Sequence, residues 1–185
     1  MQTYQVTIKS VSPYSSSRMH GTPKTDRESA DAHEARTWRN KLTTDEEGNG
    51  IIRGKAFHYC LCDAAKYLGL QVPGKGKRTY GKIFQSGTAI YDPLPLKVKP
   101  VDVEGVRVHV NADGVRGSGK RVFRTFPTVR AWGGKLTVHV LDDAITQEVL
   151  AQHFDIAGKF IGVGQYRPQN QGENGRFEVT NIKPI

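Results

Sequence analysis

Histidine is the side chain of this sequence best suited to proton transfer near neutral pH, and six histidines are scattered along the chain. None has the spacing of a zinc or metalloprotease motif, so we predict neither a metal nor another cofactor. His20 lies in a polar loop beside Arg18 and Lys24, where an imidazole can act as a general acid or base in RNA cleavage. No partner for this chemistry is evident from the sequence, so His20 is a candidate catalytic residue and no more.

Four carboxylates lie close together in the first long loop, at Asp26, Glu28, Asp31 and Glu34. Convergent carboxylates can hold metal ions for phosphodiester cleavage, which makes Asp26 and Asp31 candidate catalytic residues. The favoured interpretation is the solvated start of a helix, because acidic side chains stabilise the positive end of the helix dipole. The sequence therefore favours a binding protein over an enzyme, and an endoribonuclease is the enzyme class that it leaves open.

Two glycine-rich stretches, residues 76–82 and 114–120, match the first part of a P-loop motif. Both lack the Ser or Thr that holds Mg²⁺ after the lysine, and neither has the required order of strand, loop and helix. Nucleotide hydrolysis is therefore not predicted.

The chain is strongly basic, with 27 Lys and Arg residues against 18 Asp and Glu residues and a net charge of +9. Such a charge points to a polyanionic partner, either nucleic acid or an acidic membrane surface. No apolar run approaches the roughly 18 residues that span a bilayer, and the N-terminal residues alternate like a strand instead of forming a signal peptide. We expect a cytoplasmic protein that does not bind membranes.

Residues 105–135 account for most of the net charge, with seven basic residues and one acid, Asp113. Phe123, Phe126 and Trp132 lie among these cations, and basic residues interleaved with aromatics suit the backbone and bases of a single strand. The alternative is a solvated hairpin whose arginines flank a buried aromatic face. The seven basic residues are Arg107, Arg116, Lys120, Arg121, Arg124, Arg130 and Lys135.

A second basic region surrounds a predicted helix over residues 57–68, whose apolar positions follow the i, i+3, i+4 spacing. Gly69 ends this helix in the left-handed conformation, and Cys60 and Cys62 point to different sides of it, so no disulfide is expected. Arg53 and Lys55 lie at its N-terminus, where free N–H groups bind anions. The loop that follows it contains Lys75, Lys77, Arg78 and Lys82.

These segments alternate between the two types of secondary structure. Strands are predicted over residues 3–11, 51–52, 83–98, 106–110, 122–132, 136–141, 160–163 and 176–182, and helices over residues 29–42, 57–68 and 146–157. Without the insertions the order is β-α-β-β-α-β, which predicts an α+β fold of the ferredoxin-like or RRM type. Residues 1–185 then form one RRM-like domain, with long loop insertions at about 12–50 and 74–134, the second including the basic hairpin.

Three segments resemble the RAMP superfamily, the group that contains the Cas7 backbone subunits of CRISPR effectors. They are VTIKSVSPYSSSR at residues 6–18, IIRGKAFHYCLCDAAKYLG at 51–69 and AGKFIGVGQYRPQNQGENGRFEV at 157–179. The chain is shorter than a typical Cas7 subunit, and GENGRF at residues 172–177 stands where a more glycine-dense loop is common.

The resemblance implies a Cas7-like RNA-binding protein of a prokaryotic cell, encoded by the host, a phage or a plasmid. Copies of the chain would self-associate into a helical or filamentous oligomer along a guide RNA that pairs with a complementary target, beside other effector subunits. Binding would not be sequence-specific, and the hairpin near residues 114–124 would lie between neighbouring copies. In some family members an aspartate of the first loop cleaves target RNA, a role that Asp26 or Asp31 could have here.

Combining the charge pattern with the resemblance gives a set of predicted RNA contacts. Phosphates are expected to bind Arg18, Arg53, Lys55, Lys75, Lys77, Arg78, Lys82, Arg116, Lys120, Arg121, Arg124, Arg167 and Arg176. Bases are expected to stack on Phe123, Phe126, Trp132 and Tyr166.

Three other functions remain open. A single-stranded DNA-binding or annealing protein would use the same surface, and only preference for the 2′-OH separates it from an RNA-binding protein. A RAMP-type endoribonuclease that processes guide RNA would use His20. An inhibitor that mimics an effector subunit would bind protein, although the positive charge argues against mimicry of nucleic acid.

Overall fold

The computed structural model describes residues 1–115, 117 and 119–185 of the chain, and its helices and strands follow the α+β expectation. The strands are β1 (Gln2–Ser10), β2 (Tyr14–Ser15), β3 (Ile51–Ile52), β4 (Thr88–Ala89), β5 (Leu94–Pro95), β6 (Glu104–Asn111), β7 (Arg121–Val129), β8 (Gly133–Val140) and β9 (Phe177–Pro184). The helices are α1 (Ala30–Thr37), α2 (Gly54–Leu68), α3 (Tyr80–Gly87) and α4 (Gln147–Ile156).

A four-stranded antiparallel sheet with the strand order β4-β8-β1-β9 forms the centre of the fold. Along the chain, α2 lies between β1 and β4, and α4 lies between β8 and β9. Alternate residues of a strand point to opposite faces, so Tyr4, Val6 and Ile8 of β1 are buried in one core with residues of α2 and α4. An α+β fold built on antiparallel sheets is thus confirmed.

Helix α2 is the largest helical contribution to this core. Phe57, Cys60 and Leu61 are fully buried, and the helix ends at Gly69 with a φ of 60°. Both cysteines are free and buried, in agreement with the prediction. Helix α4 begins where the sequence indicates, because the Thr146 hydroxyl oxygen accepts a hydrogen bond of 3.3 Å from the Val149 N–H.

One of the predicted strands is wrong in its first part, although β4 and β5 lie in the remainder of it, and another is wrong throughout. The first part of residues 83–98 belongs to α3, whose Tyr80, Ile83 and Phe84 are buried at helical spacing, a pattern too short to distinguish from a buried strand. Residues 160–163 were predicted as a strand, but Ala157–Ile161 forms a π-helical turn after α4. Gly158 permits this turn because an added Cβ would overlap the carbonyl oxygen of Phe177.

The hairpin of β6 and β7 forms a second sheet with β2, in the order β2-β7-β6. The two strands pair in continuous register from Glu104 opposite Thr128 to Asn111 opposite Arg121. The β2–β7 pairing begins a few residues beyond the end of the β1–β8 pairing. Lys9 of β1 lies opposite Gly133 of β8, and Tyr14 of β2 lies opposite Val129 of β7. The hairpin therefore extends the fold beyond the end of β1.

No helix within the described part of the chain is both long enough and apolar enough to cross a membrane.

Candidate nucleic-acid interface

A groove of about 1020 Å³ runs along one side of the hairpin, from Phe126 to residues 112–114 near its tip. Its walls come from three separate parts of the chain, namely residues 17–20 with Lys41, the hairpin strands β6 and β7, and residues 165–172. Backbone hydrogen bonds hold these parts together, with the Ser16 N–H donating to the Pro127 carbonyl at 2.9 Å and the Gln165 N–H donating to the Ser15 carbonyl at 2.7 Å. The groove therefore exists only in the folded chain.

Four cations line the groove: Arg18, Lys41, Arg121 and Arg124. Glu34 of α1 organises two of them, because its carboxylate forms an ion pair with the Lys41 ammonium and lies 3.7 Å from the Arg124 guanidinium. The same carboxylate accepts a hydrogen bond of 2.8 Å from the Thr125 N–H, and the Lys41 ammonium donates to the Thr125 carbonyl at 3.0 Å. Glu34 thus holds Lys41 against strand β7 and contacts Arg124, which belongs to that strand.

This network sets the charge state of Glu34. Burial alone would raise the pKa of Glu34, but hydrogen bonds from the Lys41 ammonium and the Thr125 N–H outweigh it, so the pKa lies below its ordinary value. The carboxylate therefore stays ionised at neutral pH and keeps Lys41 in place.

Two aromatic rings meet on the floor of the groove. Phe126 and Tyr166 are perpendicular, with their centroids 5.5 Å apart, and the Lys41 nitrogen lies 4.8 Å from the centre of the Phe126 ring. Tyr166 has a φ of 58°, and an alanine Cβ at Gly172 would overlap its carbonyl oxygen. Tyr166 is half-buried, with its hydroxyl oxygen enclosed, whereas Phe126 is only 7% exposed, so Tyr166 is the more accessible of the two aromatic residues to a bound base.

His20 also lines the groove, and its Nδ1 lies 3.1 Å from the Thr22 hydroxyl oxygen. Its ring stacks on His33 at a centroid distance of 6.3 Å. Burial and the nearby Lys41 ammonium lower the pKa of His20, which favours its neutral form. The structure thus brings this candidate residue to the same groove as the arginines.

The carboxylates of the first loop do not converge. Glu28 pairs with Arg36 at 2.8 Å, and hydrogen bonds from Arg36 and from the Thr25 N–H lower the pKa of Glu28 to about 2. Asp31 is exposed in the first turn of α1, Asp26 is exposed in the preceding turn, and neither lines the groove. Among the described residues, no cluster of three or more His, Cys, Asp or Glu side chains could hold a metal ion.

The predicted contacts at α2 and in the loop after it lie away from the groove. Arg53 and Lys55 line a separate hollow of about 360 Å³ at the N-terminus of α2. Lys75 lines another groove with Leu141 and Asp142, which directly follow the last residue of β8. The hairpin extends from the other end of β8, so Lys75 and the arginines of the hairpin lie at opposite ends of this eight-residue strand. Lys77, Arg78 and Lys82 are exposed in the same region as Lys75.

Several other predicted contacts support the protein's own structure. Arg176 donates from Nε to the Lys159 carbonyl at 3.2 Å, and the Arg167 guanidinium lies 4.0 Å from the Asp63 carboxylate. Trp132 is only 6% exposed and packs edge-on against Phe177, which leaves its ring to the core and not to a base.

The remaining predicted contacts belong to the hairpin. Phe123 is 49% exposed, with the Arg107 guanidinium 4.3 Å above its ring and His109 stacked at 4.8 Å. Lys120 is exposed near the tip, and Arg116 lies outside the described residues.

Sequence reasoning missed Lys41, which lines the groove, and treated Glu34 only as one of the carboxylates of the first loop. The two residues are far from the basic clusters along the chain, and only the pairing of β7 with residues 14–16 brings them to Arg124. Gln165 and Asn170 also line the groove, within a segment where the sequence had singled out only Tyr166 and Arg167.

No protein-family model matches the sequence, and no curated protein matches it either. The fold is similar to that of one chain in the cryo-EM structure of the type III-B Cmr-beta bound to cognate target RNA. The TM-score is 0.55 at 8% sequence identity, and the match covers 100% of this chain and 60% of that chain. This chain therefore spans less than two thirds of the length of its structural neighbour, and the likeness establishes a similarity of fold.

Proposed function

We propose that this protein binds single-stranded RNA, without sequence specificity, in the groove along the hairpin. The observation that carries the proposal is the groove itself, which Arg18, Lys41, Arg121 and Arg124 line together with Tyr166. Arg18, Arg121 and Arg124 bind phosphates, and Tyr166 supplies a ring on which a base of any identity can stack.

The proposal extends to the fold family. A sheet with the order β4-β8-β1-β9, crossed by α2 and α4, is the arrangement of a ferredoxin-like or RRM-type core, and it supports a single Cas7-like domain of the RAMP superfamily. The stretches 12–50 and 74–134 are then insertions into this core. The second stretch also contains β4, which pairs with β8, so only the segments around β4 lie outside the core.

The partners proposed for such a domain are a guide RNA, its complementary target nucleic acid, further copies of the chain and other effector subunits. The similarity of fold to a chain of an RNA-bound type III-B Cmr-beta structure supports this part of the proposal. The exposed cations around Lys75 give a long RNA a second region of contact, at the far end of β8 from the groove.

Binding of a labelled oligouridine RNA, followed by fluorescence anisotropy at low salt, tests the groove. The double substitution Arg121→Ala with Arg124→Ala removes two charge-assisted contacts and should weaken binding by about tenfold to 100-fold. The control is Lys9→Ala with Lys183→Ala, which removes the same charge from exposed positions of the central sheet.

Equal losses of RNA affinity in the two double variants would mean that net charge alone drives binding. A larger loss of affinity in the control would mean that RNA binds to the central sheet. Tighter binding of a matched DNA strand would favour the single-stranded DNA function instead.

RNA cleavage is a second candidate function, favoured by the presence of His20 among the groove arginines. A neutral imidazole can accept the 2′-OH proton without a metal ion. Incubation of a hairpin guide RNA with the protein in the presence of a chelator tests it, with His20→Ala as the inactive control. Intact RNA after incubation with the unaltered protein would exclude this activity for that substrate.

A further inference from the structure

Strand β9 forms one edge of the central sheet, and strand β6 forms one edge of the hairpin sheet. Both strands have eight residues, but their outer backbone groups are protected to different degrees. Strand β9 is protected, since Thr180 forms a bulge opposite Thr7 and Ile8, the Gln147 side chain donates to the Ile182 carbonyl at 3.2 Å, and Pro184 lacks an N–H. Bulges, prolines and side-chain covers are the usual means by which proteins block pairing at an edge.

Strand β6 is less protected, and within the described residues one side chain, that of Arg121, covers its outer backbone, at the His109 carbonyl. Within the described residues it pairs with β7 alone, in continuous register and without a bulge, and it contains no proline. Five of its eight residues are exposed, and valines at positions 106, 108 and 110 favour the extended conformation.

The direction of the outer backbone groups follows from β7. The Thr125 N–H points away from β6, because it donates to Glu34, so Arg107 opposite Thr125 belongs to a pair without mutual hydrogen bonds. The N–H groups of Gly105, Arg107 and His109 therefore point outward from the hairpin. The Arg121 side chain donates to the outward His109 carbonyl at 2.7 Å, and no other side chain of the described residues is seen on these groups.

The strand is also complementary to itself. An antiparallel pair of β6 strands centred on Val108 places Val108 opposite Val108 of the second copy and Arg107 opposite His109 of the second copy. No arginine then faces another arginine, and the valines form one apolar row on the joined sheet. Arg107 and His109 are the outward-pointing residues, so this register joins them by backbone hydrogen bonds.

We propose that two copies of the protein associate through the β6 edge, in an antiparallel pair centred on Val108, to form a two-fold dimer with a six-stranded sheet. The dimer does not depend on RNA binding. Because Arg124 lies opposite Val108, and Phe126 opposite Val106, the Arg124 and Phe126 side chains of both copies project from the same face of the joined sheet as the valines. Two basic hairpins repel each other, so the dimer should strengthen as salt increases, whereas RNA binding should weaken.

Sedimentation velocity of the RNA-free protein at low and high salt tests the dimer. Arg107→Pro removes the outward N–H without breaking the ladder to β7, and it should weaken the dimer about tenfold or more. Arg107→Ala keeps this N–H and is the matched control, for which we expect a dimer as stable as that of the unaltered protein. Retained RNA binding by both variants would show that the hairpin is still folded.

A cysteine pair tests the register. Val108→Cys places two thiols opposite each other in a pair without mutual hydrogen bonds, a geometry that disulfides accept, and mild oxidation should link the copies. Val106→Cys faces Val110 of the second copy and should not link. A monomer at every concentration, equal linking by both cysteine variants, or a dimer seen only with RNA present would each overturn the proposal.

Discussion

His153 is a buried histidine outside the groove, and it should make the protein sensitive to acid. The side chain is 0% exposed and stacks on Phe84 at a centroid distance of 4.3 Å. Its Nδ1 lies 2.7 Å from the Val149 carbonyl oxygen, so Nδ1 carries the proton and donates it there. Nε2 is buried and has no hydrogen-bond partner among the described residues, which leaves nothing to stabilise a second proton.

The size of the effect follows from linkage. Burial lowers the pKa of His153 in the folded protein, whereas the unfolded chain binds a proton at the ordinary value of about 6.5. Above this pH neither state is protonated and the stabilising effect is fully present. As the pH falls, only the unfolded chain takes up the proton, and the free energy of unfolding decreases by about 1.4 kcal/mol per pH unit until the folded pKa is reached. At pH 5 the loss reaches about 2 kcal/mol if the folded protein still excludes the proton.

Urea unfolding at several pH values between about 8 and 5, for the unaltered protein and for His153→Leu, measures this loss. Leucine cannot titrate, and His20 and the other histidines are present in both proteins, so their contributions cancel in the difference. The difference in unfolding free energy should be constant above pH 6.5 and should shift in favour of the leucine variant below it. The pH at which the shift stops gives the pKa of His153 in the folded protein. Parallel curves down to pH 5 would refute the argument.

Three further substitutions test the core and the groove. Phe57→Ala should cost about 3–5 kcal/mol in thermal or urea unfolding, because the ring is 0% exposed, and a loss under 1 kcal/mol would contradict the packing described. Glu34→Gln should cost about 1–3 kcal/mol at neutral pH, because it leaves Lys41, with a side chain only 12% exposed, without a counter-ion. This cost should shrink as the pH falls through the pKa of Glu34, and a pH-independent cost would refute the ion pair. Gly172→Ala should displace the Tyr166 backbone, lower the stability and weaken RNA binding several-fold, and unchanged anisotropy of the folded variant would exclude Tyr166 from the contact.

The central elements could be predicted from the sequence because their patterns are long and local. Helix α2 combines an uninterrupted apolar stripe with a glycine stop, and β1 alternates over nine residues. The same reasoning fails for α3, whose eight residues carry three large apolar side chains that suit a buried strand as well as a helix. Long amphipathic patterns decide between the two structures, and short ones do not.

The candidate site was only partly predictable, because its residues are brought together by long-range pairing. Arg121 and Arg124 stood out as members of a basic cluster, and Tyr166 as an aromatic in a glycine-rich loop. Trp132 was indistinguishable from them in sequence, but it follows β7 in the turn to β8 and is enclosed by Phe57 and Phe177. Which aromatic of a basic hairpin is buried depends on what covers each face, and the sequence of the hairpin does not contain that information.

The outer sides of the two hairpin strands, β7 and β6, differ in what satisfies their backbone groups. Along β7, the outward groups of Thr125 and Pro127 are taken by Glu34, Lys41 and Ser16, so this side is closed and serves as the rigid wall of the groove. Along β6 the outward groups of Gly105 and Arg107 have no such cover among the described residues. RNA binding at the closed side depends on charged side chains and weakens with salt, whereas strand pairing at the open edge depends on the backbone and strengthens with salt. An increase in salt concentration should therefore weaken RNA binding and strengthen the dimer. Either proposal, the RNA-binding groove or the β6 dimer, can fail without the other.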